Sequence, residues 1–355
     1  MWRIVIIFGI LLQLGCSHSD EEINSASNLE KMYFPPNNSS VWETIEPSEL
    51  DWDESKIPDL LTYLQNKKTK SFIVLHNGRI VIEAYFNNHT AITPWYWASA
   101  GKTLTATLTG IAEQEGYLNI QNKVSDYIGT NWTSIPIEKE DLITCKHLLN
   151  MTSGLDDSQG DNVSPNNLQY SADAGTRWAY HNVYVKLQDI VATATNQSWE
   201  DYFTLKFKKT IGMSGGWHQS GDLNIYWSDS RSMARFGLLA LNKGTWNNTI
   251  IVNQTYFNAS TSTSQNINLA YGYLWWLNGK TSFHIPQSQL EYPGSLIPNA
   301  PDDTFMALGK NDQKIYVVPS RNLVIIRMGE EAEGNNTDSE NFNNTLWQYI
   351  NAVIN

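Results

Sequence analysis

The chain of 355 residues is short of cysteine: Cys16 and Cys145 are the only two. With seven histidines scattered along it, it cannot build a cysteine-rich zinc site. It also lacks a block of Lys and Arg. With 24 basic against 36 acidic residues its formal net charge is −12, which excludes a broad basic face for nucleic acid. His76, His147, His218 and His284 have no carboxylate partner visible by spacing, so nothing local supports a Ser-His-Asp arrangement. Gly101-Lys102-Thr103 resembles the end of a phosphate loop, but no glycine stands five residues before Gly101. Asp156-Asp157 reads as a solvated loop rather than a metal site. The chain is rich in aromatics instead, with 14 Trp and 17 Tyr, which fits a packed core beside an aromatic-lined cleft.

The first residues read as an address. Arg3 precedes an apolar run, Ile4 to Leu12, too short to span a bilayer as a mature helix. Gly15-Cys16 follows, and the segment resembles a bacterial lipoprotein signal, with Gln13 where such signals usually carry Leu. That resemblance implies lipidation at Cys16 and an exported protein in the periplasm or on the outer membrane or cell surface. Membrane contact would then be through the N-terminal lipid anchor only, and no intrachain disulfide could form. Residues 17–50 are polar, with Pro35-Pro36 and a run of Asn and Ser, and read as a tether. The folded domain is expected over 51–355.

Within it, Ile57, Leu60, Leu61 and Leu64 have helical spacing. Ser71–His76 and Arg79–Tyr85 are β-prone runs joined by Asn77-Gly78, a pair suited to a two-residue turn of positive φ. Helical patterns follow at 104–112, 144–151, 183–196, 198–208 and 229–242. Strand patterns return at Tyr271–Leu277, Thr304–Leu308, Lys314–Val318 and Leu323–Met328, and Phe342, Leu346, Ile350 and Val353 mark a closing helix. The fold class is therefore α/β of the α+β kind. An antiparallel sheet is built from both chain ends (about 51–100 and 266–355) and flanked by helices, with a mostly helical lobe inserted at about 101–265.

Ser99-Ala100-Gly101-Lys102 is an S-x-x-K tetrad where an extended segment meets a helix. Residues three apart share a helical face. Lys102 is thus within reach of the Ser99 hydroxyl, and a desolvated lysine can take its proton. Further segments carry a resemblance: Trp97–Tyr127, Thr144–Leu155 with its "HLL-x-x-TSGL" reading, Gly175–Asn182 with its Y-x-N at Tyr180-His181-Asn182, Asp229–Leu239, Tyr271–Trp276 and Gln313–Gly329. Together they resemble the serine β-lactamase and penicillin-binding-protein superfamily. The class C-like branch, which includes esterases and 6-aminohexanoate-dimer hydrolases, fits best.

The resemblance implies a β-lactamase/transpeptidase-like fold with an acyl-enzyme on Ser99 and Lys102 as base. It makes Tyr180 the proton relay, in an ionised or proton-sharing form, and Asn182 a substrate and lysine partner. It implies no cofactor and no metal. The third superfamily motif, usually K-T-G, K-S-G or H-x-G, falls on Lys310-Asn311-Asp312 when anchored on Gln313. Lys310 then supplies the cation, the Gln313 N–H an oxyanion donor, and Asp312 a charge that repels carboxylate-bearing β-lactams. A polar hairpin tip at 309–312 is the rival reading. His181 is read as packing. The expected substrate is a small-molecule ester or amide. The alternatives are a D-Ala-D-Ala carboxypeptidase acting on peptide, a β-lactamase, or a non-catalytic binder that kept the fold.

Overall fold

The computed structural model describes residues 31–332 and 339–354. The signal segment and Cys16 lie outside them. The hairpin forms as expected: β1 (Thr69–His76) and β2 (Arg79–Tyr85) pair antiparallel. They turn at Asn77 and Gly78, both at positive φ (46° and 81°). The main sheet adds β6 (Trp276–Leu277), β7 (Phe305–Gly309), β8 (Gln313–Val318) and β9 (Leu323–Gly329). Its six strands run in the order β2-β1-β9-β8-β7-β6, antiparallel throughout. The N-terminal hairpin is thus inserted beside the last strand of the chain.

Both faces of this sheet are covered, so its inner strands read as continuous apolar runs rather than alternating ones. In β9, Leu323, Val324, Ile325, Ile326 and Met328 are all buried. Each such side chain contributes about 1.5–3 kcal/mol on burial. One face carries the helix Ser230–Leu241, which comes close enough that a Cβ on Gly237 would sit 2.4 Å from Val324 Cγ1. The other face carries the helices Ile57–Asn66 and Ser339–Ile354, with Tyr316 against Trp347 and Tyr63 stacked on Tyr349.

Two boundaries differ from the sequence reading. The tether expected over 17–50 does not extend past Met32, because the domain takes in the chain from Tyr33 onward. Trp42 and Ile45 are buried, Thr44 bridges Ile80, and the Tyr33 N–H donates to the Asn77 carbonyl. The buried Arg235 guanidinium donates to the carbonyls of Pro35, Pro36, Ser39 and Ile211, which fastens the segment down. Local polarity hid this, since the stabilising contacts come from the hairpin some 36–44 residues on and from Arg235 about 200 residues on. The second difference is the helix Ser230–Leu241, assigned by position to the inserted lobe but packed on the sheet. The inserted stretch also contributes strands: β3 (Trp95–Tyr96), just before it, pairs with β5 (Leu223–Ser228), and β5 with β4 (Gly216–Ser220).

Candidate active site

The site is built where β3 runs into a helix. Trp97 is fully buried; its N–H donates to the Tyr226 carbonyl and its indole N–H to Ser228 Oγ. Ala98 follows at φ +47°, a conformation L-residues adopt at a cost. A 3₁₀ turn, Ala98–Gly101, then leads into the helix Lys102–Gln114. In a 3₁₀ turn residues i and i+3 eclipse. This places Lys102 directly over Ser99.

Lys102 Nζ donates to Ser99 Oγ at 2.8 Å and to Asn182 Oδ1 at 3.1 Å. It also lies over the rings of Tyr180 (4.9 Å) and Tyr184 (4.4 Å). The residue is 2 % exposed, and the side chains around its amine are a hydroxyl, an amide and two aromatic faces. Burial lowers its pKa to about 7, while Asp161 acts in the opposite direction. Asp161 reaches the amine through Asn182, whose Nδ2 donates to Asp161 Oδ1 at 2.5 Å. Tyr180 shares a hydrogen bond with Ser99, but burial pushes its pKa up to about 12. Desolvation outweighs the favourable neighbour, so of the two forms expected of Tyr180, ionised or proton-sharing, burial disfavours the ionised one.

Ser99, Lys102, Tyr180 and Asn182 are therefore brought together, whereas Gln313 is not placed as expected. β7 ends at Gly309, and 310–312 form the hairpin tip. Lys310 is exposed. Gln313 is fully buried and its amide donates to the carbonyls of Asn311 and Gly329. The strand that meets the Ser99 turn is Ala307-Leu308-Gly309: a Cβ on Gly309 would lie 2.4 Å from the Trp97 carbonyl oxygen and 3.0 Å from the Ala100 nitrogen. Gly309 is the glycine of close approach, immediately before the tip, and was not singled out in the sequence. Its signal was its place at the end of a β-prone run. On the outer edge of β7, the Thr304 carbonyl accepts from the Asn278 N–H. Strand alternation then directs the N–H of Lys310, rather than that of Gln313, to the free edge.

Asp312 does not face the site either. Asn311 and Asp312 sit at φ +61° and +62°, a double left-handed turn that carries the Asp312 carboxylate to the covered side of the sheet. There it pairs with Lys314 at 3.0 Å and accepts the Ala332 N–H. It therefore cannot repel a substrate carboxylate.

Other contributors were not singled out from sequence. Tyr184 and Asp161 carry no motif. Tyr180 stacks on Trp276 at 5.7 Å, with Trp178 and Tyr271 behind, forming one wall. Tyr96, on the strand that leads into the Ser99 turn, meets Trp227 of the paired strand β5 at 5.4 Å, and Tyr96 Oη accepts from Asn311 Nδ2. His181 is buried; its Nδ1 accepts the Val183 N–H and caps the turn that presents Asn182. Among the described residues no group of three or more His, Cys, Asp or Glu could hold a metal ion, and no helix is long and apolar enough to cross a membrane.

Comparison with known proteins adds to this geometry. A family model described as Beta-lactamase matches residues 65–345. Among solved structures, the chain is similar to a candidate 6-aminohexanoate-dimer hydrolase from Bacillus anthracis. The TM-score is 0.68 at 20% identity, over 91% of this chain and 89% of that one. It is also similar to a candidate β-lactamase from Bacteroides dorei, with TM-score 0.67 at 14% identity, over 85% and 99% of the two chains. A class C β-lactamase from Rhodobacter sphaeroides gives 0.58 at 15%, over 84% and 99%. At these identities the likeness speaks for the fold. No curated protein matches by sequence.

Proposed function

The chain belongs to the β-lactamase family, whose members are serine hydrolases, and from that premise we propose that it cleaves an ester or small amide through an acyl-enzyme on Ser99. The observation that carries the reading is the 2.8 Å contact between the Ser99 hydroxyl and a buried amine poised near neutrality. Neutral Lys102 takes the Ser99 proton as Oγ bonds to the substrate carbonyl carbon. The resulting oxyanion is held by the N–H of Ser99 and that of Lys310 at the strand edge. The proton on Lys102 then passes by way of the Tyr180 phenol to the departing alcohol or amine as the C–O or C–N bond breaks. Water, activated by the same amine, releases the acid and regenerates Ser99. Each step uses groups of this chain.

Substrate class follows from the wall opposite Ser99. Phe305–Gly309 carries no charged side chain, Lys310 just beyond it is solvent-exposed, and the aromatic pairs Tyr180–Trp276 and Tyr96–Trp227 border the approach. An uncharged, partly apolar acyl group suits this better than a substrate that needs a fixed cation for its carboxylate. From the sequence we also propose that lipid on Cys16 anchors the exported protein.

The test is to incubate the domain with a fluorophosphonate probe, p-nitrophenyl esters and nitrocefin, then locate the label by mass spectrometry. Label on Ser99 with ester turnover well above nitrocefin turnover is expected. Nitrocefin turnover as fast as ester turnover overturns the substrate class. Label without any turnover points to a binder.

A further inference from the structure

Asn182 presents both ends of its amide to charged groups. Its Oδ1 accepts from Lys102 Nζ at 3.1 Å, and its Nδ2 donates to Asp161 Oδ1 at 2.5 Å. An amide can flip end for end, and its orientation is set by its partners. A carboxylate accepts only, so Asp161 selects the orientation that turns the oxygen towards the lysine. Asp161 comes from the loop between the HLL helix and Tyr180, nineteen residues before the Tyr180 motif, and its side chain is solvent-accessible.

We propose that Asp161 is a positioning residue for the general base: it locks the Asn182 amide oxygen onto Lys102, and its negative charge steadies the ammonium that Lys102 becomes on taking the Ser99 proton. This rests on the reading of Ser99 and Lys102 given above. The other groups facing the amine are Ser99 on its own turn and Tyr180 and Tyr184 on the adjoining segment. Both phenols are held protonated by burial, so neither supplies charge near neutral pH. His181 lies near enough to feel Lys102 but is held off protonation by burial. Asp157, the next acidic side chain on the loop, is engaged by Arg177 at 2.6 Å. Asp161 is the carboxylate left to act on the amine, and it opposes the burial that lowers the lysine's affinity for a proton.

Asp161→Asn keeps a hydrogen-bond acceptor and removes the charge. Asp161→Ser removes the charge by a second route, and Asp161→Glu restores it. The readout is the midpoint at which the Lys102 ε-methylene titrates in protein carrying ¹³C-lysine, its signal identified by loss in Lys102→Met. The midpoint is expected to fall by about half a unit or more in Asp161→Asn and Asp161→Ser and to return in Asp161→Glu. The acid limb of kcat/KM should move to lower pH by the same amount. Plateau kcat should fall further in Asp161→Ser than in Asp161→Asn, with little change in KM, because the shorter serine side chain no longer reaches the Asn182 amide. An unmoved Lys102 midpoint in the two neutral variants overturns the proposal. If instead the midpoint moves but fluorophosphonate never labels Ser99 in the native protein, the hydrolase reading fails while the Asp161 coupling stands.

Discussion

Two lysines of this protein are almost completely buried, one in the cleft and one behind the sheet, and their surroundings are opposite. Lys102 is 2 % exposed and touches a hydroxyl, an amide oxygen and two aromatic rings. Lys314 is 3 % exposed, pairs directly with Asp312 at 3.0 Å and lies over the Phe342 ring, on the side of the sheet where Arg327 is also buried. Burial lowers the proton affinity of both. Asp312 offsets much of that cost at Lys314, while Asp161 does not touch Lys102, the Asn182 amide standing between them. A buried ammonium with a partner consolidates the fold; one without a direct partner gives up its charge easily and can serve as a base.

Replacing each lysine by methionine separates the two roles most widely. Lys102→Met should lower kcat/KM for a p-nitrophenyl ester by about 10⁴-fold while raising stability, since it removes a desolvation cost. Lys314→Met should leave kcat/KM within about fivefold but strand the Asp312 carboxylate, a loss of about 3–5 kcal/mol in urea unfolding. A Lys314 variant as inactive as the Lys102 variant, yet folded, would erase the distinction.

The same contrast can be drawn with glycines. A methyl on Gly309 would press on the Trp97 carbonyl at 2.4 Å and push β7 away from the Ser99 turn. A methyl on Gly237 would press on Val324 and Ile315, far from the nucleophile. Gly309→Ala should cost about 100-fold in kcat, the penalty of misplacing catalytic groups by roughly an ångström. Gly237→Ala should cost about 1–3 kcal/mol of stability through overpacking, with kcat little changed.

Acid should disable the cleft lysine first. The neutral amine is the active form, so kcat/KM should rise with pH and reach half its plateau near pH 7. About tenfold is then lost for each unit below that. The effect on folding has a definite sign. The folded-state pKa of about 7 lies below the ordinary 10.5, so the unfolded chain holds more protons between them. This group therefore adds stability as pH climbs through that window and destabilises fully below it. The advantage of Lys102→Met in thermal unfolding should be largest at and below neutral pH and fade towards pH ~10.

How much of this was readable in advance depended on the range of the forces involved. The Asn77-Gly78 hairpin, the helix after Ser99 and the apolar strands near the C-terminus were legible, because turn chemistry and hydrophobic runs act locally. So was the Ser99/Lys102 pair, whose spacing alone puts both groups on one face. The packing of Ser230–Leu241 on the sheet was not, since its partners Ile315 and Val324 come about eighty residues later. Nor was the end of β7. Gly309, Asn311 and Asp312 can all occupy a turn, and only pairing across the sheet decides that Gly309 closes the strand. The direction of Asp312 was hidden for the same reason: its charge is plain in the sequence, but the double left-handed turn aims the side chain at Lys314.

That turn offers the finest comparison, between neighbours with the same backbone and opposite outlooks. Asn311, at φ +61°, faces Tyr96, its Nδ2 donating to the phenol oxygen at 2.6 Å; Asp312, at φ +62°, faces Lys314. Asn311→Gly relieves left-handed strain and forfeits one part-buried hydrogen bond. These are opposing changes of about 1 kcal/mol each. The melting temperature should therefore move by no more than about 2–4 °C, and KM for an aryl ester should rise about twofold as Tyr96 loses its tether. A change in KM as large as that in kcat for Gly309→Ala would mean that the tip, not the strand edge, shapes the acyl pocket.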